Sequence, residues 1–303
     1  MISYNPSQLT KGARAIFMQA LGQETNVIDR IATRIPSDSA SEDYAWMGEP
    51  PQMEEFLDEV KFAGMSDTLY SLVNKTYTSG IRILRKDLED EKTGGIAMRI
   101  MQLAEVAGRH PNKLLTAALT EGTTNTGHDA NAVFSATHPA RGQQTATQSN
   151  LLTGTGVTTA TVQADLNSAV AALAGFLAEN NEPVNESFAR LWIQAPPELR
   201  KPLKEAIQAG VVAQTTNVQL SDLSFDLMFN PRLSATSTVD WYMGIQDTVV
   251  RGLVFQDRVP LEFTPQDQAD SDASFVREEY RYKTRYRSRA GYGLWYKMVK
   301  INN

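Results

Sequence analysis

Residues 280–289 alternate with period 2. Arg281, Lys283, Arg285, Arg287 and Arg289 hold one parity; Tyr280, Tyr282, Thr284, Tyr286 and Ser288 hold the other. Successive strand residues point to opposite faces, so the spacing predicts a strand with a cationic face and an aromatic–hydroxyl face. The same period predicts a strand at 223–229, where Leu223, Phe225, Leu227 and Phe229 interleave with Ser224, Asp226 and Met228. Shorter or less regular runs predict strands at 189–194, 249–255, 276–289 and 294–301. Residues 62–88 are strand-like but largely polar on both faces, as in Val73, Lys75 and Tyr77 alternating with Asn74, Thr76 and Thr78. Such strands bury little against their own domain, which predicts an arm or hairpin packing on a neighbour.

Helical periodicity appears elsewhere. Residues 11–21 predict a short helix, and Ile96, Ile100, Leu103 and Ala107 a longer one. Carboxylates at 87–91 precede it, where they suit the positive end of the helix dipole. Leu114, Leu115, Ala118 and Leu119 resume the stripe after Pro111, which kinks the helix or starts a second one. A continuous helix over 95–121 is about 40 Å long at about 1.5 Å per residue. Val162, Leu166, Val170, Leu173 and Leu177 predict an amphipathic helix over 161–179. Pro196 and Pro197 open another, through Leu199, Leu203 and Ile207 to Gly210. Residues 160–235 thus read as a compact α/β unit. Residues 35–43 predict a loop or extended segment, 44–51 a rigid aromatic–proline turn, and 122–159 a long loop with a hairpin around 132–134.

Charge is segregated along the chain. The formal net charge is −6 over 303 residues, but residues 277–303 carry eight Lys/Arg and two Glu, a net of +6. Residues 36–91 carry thirteen Asp/Glu and five Lys/Arg, a net of −8. Such a chain is expected to meet nucleic acid or the acidic part of another copy of itself. The absence of cysteine removes disulfides, thiolate nucleophiles and cysteine metal sites. Residues 1–20 lack a signal-peptide pattern, and the most apolar run, 169–178, is too short to span a bilayer, so a soluble protein made in the cytoplasm, without membrane partners, is expected.

Candidate chemistry is sparse. His110, His128 and His138 are the only histidines, and their spacing with Asp129 fits no compact metal motif; a turn held by His138 and Pro139 is favoured. There is no Gly-x-Ser-x-Gly elbow, and the Gly/Thr-rich stretches 122–127 and 154–156 lack the lysine of a phosphate loop. No enzyme and no cofactor is expected. Glu54, Glu55, Asp58 and Glu59 read as a solvated acidic face, or one opposite a basic neighbour, before a cation site. Trp192 reads as core. The basic strand has three readings: a solvated face, a sequence-independent phosphate contact, or a contact to a neighbour's acidic segment.

Several blocks in order carry a resemblance. They are Tyr44-Ala45-Trp46-Met47-Gly48-Glu49-Pro50-Pro51 with Gln52 to Phe56; Asn74-Lys75-Thr76-Tyr77 through Ile81 to Asp90; and Ala132-Val133-Phe134-Ser135-Ala136-Thr137-His138-Pro139. Leu191-Trp192-Ile193 with Pro196-Pro197-Glu198-Leu199, Asp240-Trp241-Tyr242 and Tyr292-Gly293-Leu294-Trp295 complete the set. Together they resemble the major head subunit of Mu-like phages and prophages, with a more acidic stretch at 56–61 than the family usually has. The resemblance implies an α+β fold of the tailed-phage major capsid, or Hong Kong 97, type. It implies an N-terminal arm (1–50), an extended β-hairpin loop (51–86), a peripheral domain with a long spine helix and β-sheet (87–150 and 241–303), and an axial α/β domain (151–240).

The implied function is an icosahedral shell of pentamers and hexamers around double-stranded DNA, with portal, scaffold or protease, and decoration proteins as partners. The implied location is the virion, and the host cytoplasm during assembly. Trp46, Glu54, Glu55, Asp58, Glu59, Lys75 and Arg82 are then the candidate intersubunit contacts, and the Arg281–Arg289 row faces DNA or a neighbour. The alternatives are the shell of a phage-derived protein compartment and a sequence-independent nucleic-acid-binding protein.

Overall fold

The structure, a computed structural model, describes residues 6–44, 70–89, 95–140, 142, 144–208, 211–212, 215–216, 222–268 and 271–303. Helix α1 (Pro6–Gln23) leads through α2 (Ile28–Ile31) into β1 (Ala32–Pro36) and β2 (Ser41–Tyr44). Next come β3 (Tyr70–Val73), β4 (Lys75–Leu84), α3 (Arg85–Glu89), α4 (Gly95–Gly108) and α5 (His110–Glu121). The middle holds β5 (Leu151–Thr153), α6 (Thr159–Gly175), β6 (Arg190–Ala195), α7 (Arg200–Gln208), β7 (Val211–Val212), β8 (Thr215–Thr216) and β9 (Ser224–Phe229). The chain closes with β10 (Trp241–Ile245), β11 (Leu253–Gln266), α8 (Asp272–Arg277), β12 (Glu279–Tyr292) and β13 (Met298–Asn302).

Two sheets organise these elements into an α+β architecture. One is four-stranded, in the order β1-β11-β12-β4; the other is five-stranded, in the order β5-β13-β10-β6-β9. The aromatic parity of β12 is what holds the first together: Tyr280, Tyr282, Thr284, Tyr286 and Ser288 are all buried. Tyr282 stacks on Phe263 of β11 at 5.8 Å, and Phe263 stacks on Phe17 of α1 at 4.5 Å. Ile100, Leu103, Ala104 and Ala107 of α4 join that cluster. Burying each of Ile100 and Leu103 contributes roughly 1.5–3 kcal/mol. Leu115, Ala118 and Leu119 of α5 pack with Phe255, Tyr286 and Tyr292. Three helices therefore cover the aromatic face.

Pro111 divides the predicted spine. Residues 95–121 form two helices rather than one, because Pro111 has no N–H to give and sits in the first turn of α5, where none is needed. In the five-stranded sheet, Val162, Leu166, Ala169 and Leu173 of α6 pack with Leu191, Ile193, Trp241 and Met243. The Thr158 side chain caps α6 by accepting from the Thr161 N–H. Trp192 points the other way, into the cluster between the two sheets with Tyr242, Met298 and Phe255. Gly244 lies opposite Trp192, and a Cβ there would approach the indole to 2.6 Å.

Several expectations are corrected. Strand β4 is not a free arm, since it pairs with β12 from Lys75 to Leu84, but it buries little there: six of its ten residues are exposed and only Ile83 is buried. Residues 85–89 turn into α3. Helix α6 ends at Gly175, since Phe176 turns extended to pack edge-on against Trp295, and Leu177 is left exposed. The strand expected from 249 begins at Leu253 and runs to Gln266. Val276 belongs to α8, which Ser271 caps and Glu278 ends in the left-handed region. Residues 295–297 form a 3-10 turn before β13. Residues 241–303 divide between the sheets: β11 and β12 lie in the four-stranded sheet under α4 and α5, and β10 and β13 complete the five-stranded one. The turn expected at 44–51 lies outside the described residues beyond Tyr44. Among the described residues, no helix is long and apolar enough to cross a membrane.

Candidate assembly surface

The cationic parity of β12 faces away from the helices. Arg281, Arg285, Arg287 and Arg289 are half-buried by their stems, and Lys283 is exposed. Arg82 of β4 stands directly opposite Arg281, on the same face. Like charges opposite one another are destabilising unless something lies between them. Here that is Glu279, whose side chain is 4% exposed: it accepts from Arg281 Nε at 2.8 Å and lies 3.9 Å from Arg82. Glu262 of β11 accepts from Arg285 at 3.3 Å. Among the described residues, six cations thus share the face with two carboxylates, and the surplus is positive. The anions were not legible from the strand itself: Glu262 lies on another strand, and Glu279 is on the cationic parity but was not separated from its neighbour Glu278.

The row ends beneath a two-stranded hairpin. Strands β2 and β3 pair from Ser41 with Val73 to Tyr44 with Tyr70. Gly291 lets this hairpin approach, since a Cβ there would meet Leu72 at 2.8 Å. The Tyr44 hydroxyl bonds Gln256 at 2.8 Å, and the Tyr292 N–H donates to the Tyr70 hydroxyl at 3.1 Å. Burial pushes the Tyr44 and Tyr292 phenols up to about 12. A cleft of about 360 Å³ opens beside it, lined by Tyr70, Lys75, Leu114, Glu121, Asn125 and Arg289.

The structure separates some candidate residues and omits others. Lys75 pairs opposite Ser288, on the aromatic parity, so it lies at the cleft and not with Arg82. Trp46, Glu54, Glu55, Asp58 and Glu59 lie outside the described residues. His110 packs on Tyr77 at 4.2 Å. Among the described residues, no group of three or more His, Asp or Glu gathers as a metal site.

An α+β chain with a long β11–β12 hairpin crossed by helices, joined to a second α/β layer, has the fold of a capsid-shell subunit. It is similar to the procapsid of bacteriophage JBD30, with a TM-score of 0.59 at 21% identity, covering 98% of this chain and 74% of that one. At that identity the likeness shows the fold alone. The sequence goes further: this chain belongs to the Mu-like prophage major head subunit gpT family, whose pattern matches residues 7–170 and 226–302. It is 32% identical over 123 residues to the Mu-like prophage FluMu major head subunit of Haemophilus influenzae. It is 28% identical over 126 residues to the major capsid protein of Escherichia phage Mu. Those matches span 41% and 42% of this chain, and only 40% and 41% of the two relatives.

Proposed function

We propose that this chain is the major capsid protein of a phage head, assembling with itself into pentamers and hexamers of an icosahedral shell around double-stranded DNA. The observation that carries the reading is the open cationic face on β12 in a chain of this family whose acidic excess lies in 36–91. The acidic segment of one subunit lies across the basic row of its neighbour, and closed symmetry multiplies many modest contacts. In this reading β2 and β3 are the base of the extended loop. The four-stranded sheet with α4 and α5 is the peripheral domain, and the five-stranded sheet, with β10 and β13, is the axial one. The protein is structural rather than catalytic. Portal, scaffold or protease, and decoration proteins join it in the host cytoplasm, and the virion is where it ends.

The competing class is a nucleic-acid-binding module. A gel-shift measurement on assembly-blocked subunits separates the two. Weak binding to free double-stranded DNA is expected. Tight binding that falls steeply with salt would overturn the assignment of the row to a neighbouring subunit.

A further inference from the structure

The segment between α5 and β5 joins the four-stranded sheet's helices to the edge of the five-stranded sheet. Its described backbone pairings outside helices and strands include the bridges Thr126 with Ala132 and His138 with Gln148. Yet Asp129, His138 and Asn150 are buried in it, the first two with side chains 1% exposed. A charged group so deep needs a partner, and the hydrogen-bond inventory says which.

Asn150 fixes the direction. Its Nδ2 donates to the carbonyls of Val133 at 2.7 Å and of Trp295 and Met298 at 3.3 Å, while its Oδ1 accepts from the Ser135 N–H at 2.9 Å. The Oδ1 is therefore an acceptor, and His138 Nε2, 3.0 Å away, carries a proton toward it. The other ring nitrogen, Nδ1, lies 2.6 Å from Asp129 Oδ2, a contact that needs one proton between the two. Burial pushes the Asp129 carboxyl up, but the His138 hydrogen bond and charge, with the Asn131 N–H, outweigh it and hold the group below its usual range. The contact thus holds one shared proton, and the ring's other proton is taken by Asn150. The ring lies flat on Trp295, stacked at 3.8 Å and 4°. His128 is the other titratable group facing Asp129. Phe176 closes the far side of Trp295 without a charge, and Lys297 of the same turn is directed to Asn185 at 2.6 Å.

We propose that Asp129, His138 and Asn150 form a buried hydrogen-bonded lock that pins the connecting segment to the Trp295 turn and β13, and so holds the two sheets in one relative arrangement. The lock opens in acid. A carboxyl held below its ordinary value stabilises the fold fully above that value, about 4, and the contribution is lost as pH falls through the depressed one.

Nitrogen-15 NMR of the full chain labelled at histidine tests this near neutral pH. Of the three rings, the one assigned to His138 should carry a proton on Nε2 and a strong hydrogen bond at Nδ1, and Asp129→Asn should weaken the bond at Nδ1. Hydrogen exchange in 126–150 should rise about tenfold in that variant, with β6 and β10 unchanged. A His138 ring with no proton on Nε2 in the unsubstituted protein overturns the proposal, and so does unchanged exchange. Were Asp129→Asn not to fold, the ring of the unsubstituted protein still decides.

Discussion

Glu54→Lys, Glu55→Lys, Asp58→Lys and Glu59→Lys, combined in one chain, should abolish closed shells. The four substitutions take the 36–91 segment from a net of −8 to neutrality and set four lysines against the row of Arg281, Lys283 and Arg285. An exposed ion pair contributes about 0.2–1 kcal/mol, so the three pairs these cations can make contribute about 0.6–3 kcal/mol at each contact. That is modest once, but it repeats at every subunit of a closed assembly, where the losses compound. Sedimentation and electron microscopy should find free subunits or small oligomers. Adding Arg281→Glu, Lys283→Glu and Arg285→Glu to the same chain should restore particles in part. Unchanged shell yield in the four-lysine variant would contradict the proposed contact.

Trp192→Ala should cost the subunit about 3–5 kcal/mol, the usual loss on emptying a large aromatic site in a core. Trp192 is fully buried and belongs to the cluster that packs the two sheets against each other. The backbone of Gly244 runs directly beneath the ring. Neighbouring strands β6 and β10 cannot collapse into the void without breaking their ladder. Such a loss is a large part of the roughly 5–15 kcal/mol that holds a folded domain. Guanidinium denaturation of the unassembled subunit measures it. A loss under about 1 kcal/mol would mean that the sheets are held elsewhere.

The strands read most clearly where their two faces differ in chemistry. In β12, arginine and tyrosine separate solvent from core, and the observed burial follows that alternation. Strand β4 hid its pairing because Lys75, Thr76, Thr78 and Ser79 look the same on either face, and its partner is about two hundred residues away. Strand β10 is buried at all five positions, so Trp241 to Ile245 show no period and give no hint of the sheet they enter. The helices were legible as stripes, but their ends were not: Phe176 leaves α6 because Trp295 receives it. The basic face was visible in the sequence, whereas Glu262 reaches it only through the β11–β12 register. The lock was invisible for the same reason. Asp129, His138 and Asn150 follow no motif spacing, and only the fold brings Trp295 over the ring.

Self-assembly is the claim on which the rest depends. Electron microscopy of the expressed and purified chain tests it most directly. Closed shells of uniform diameter are the predicted result. A protein that stays monomeric across salt and concentration would contradict it.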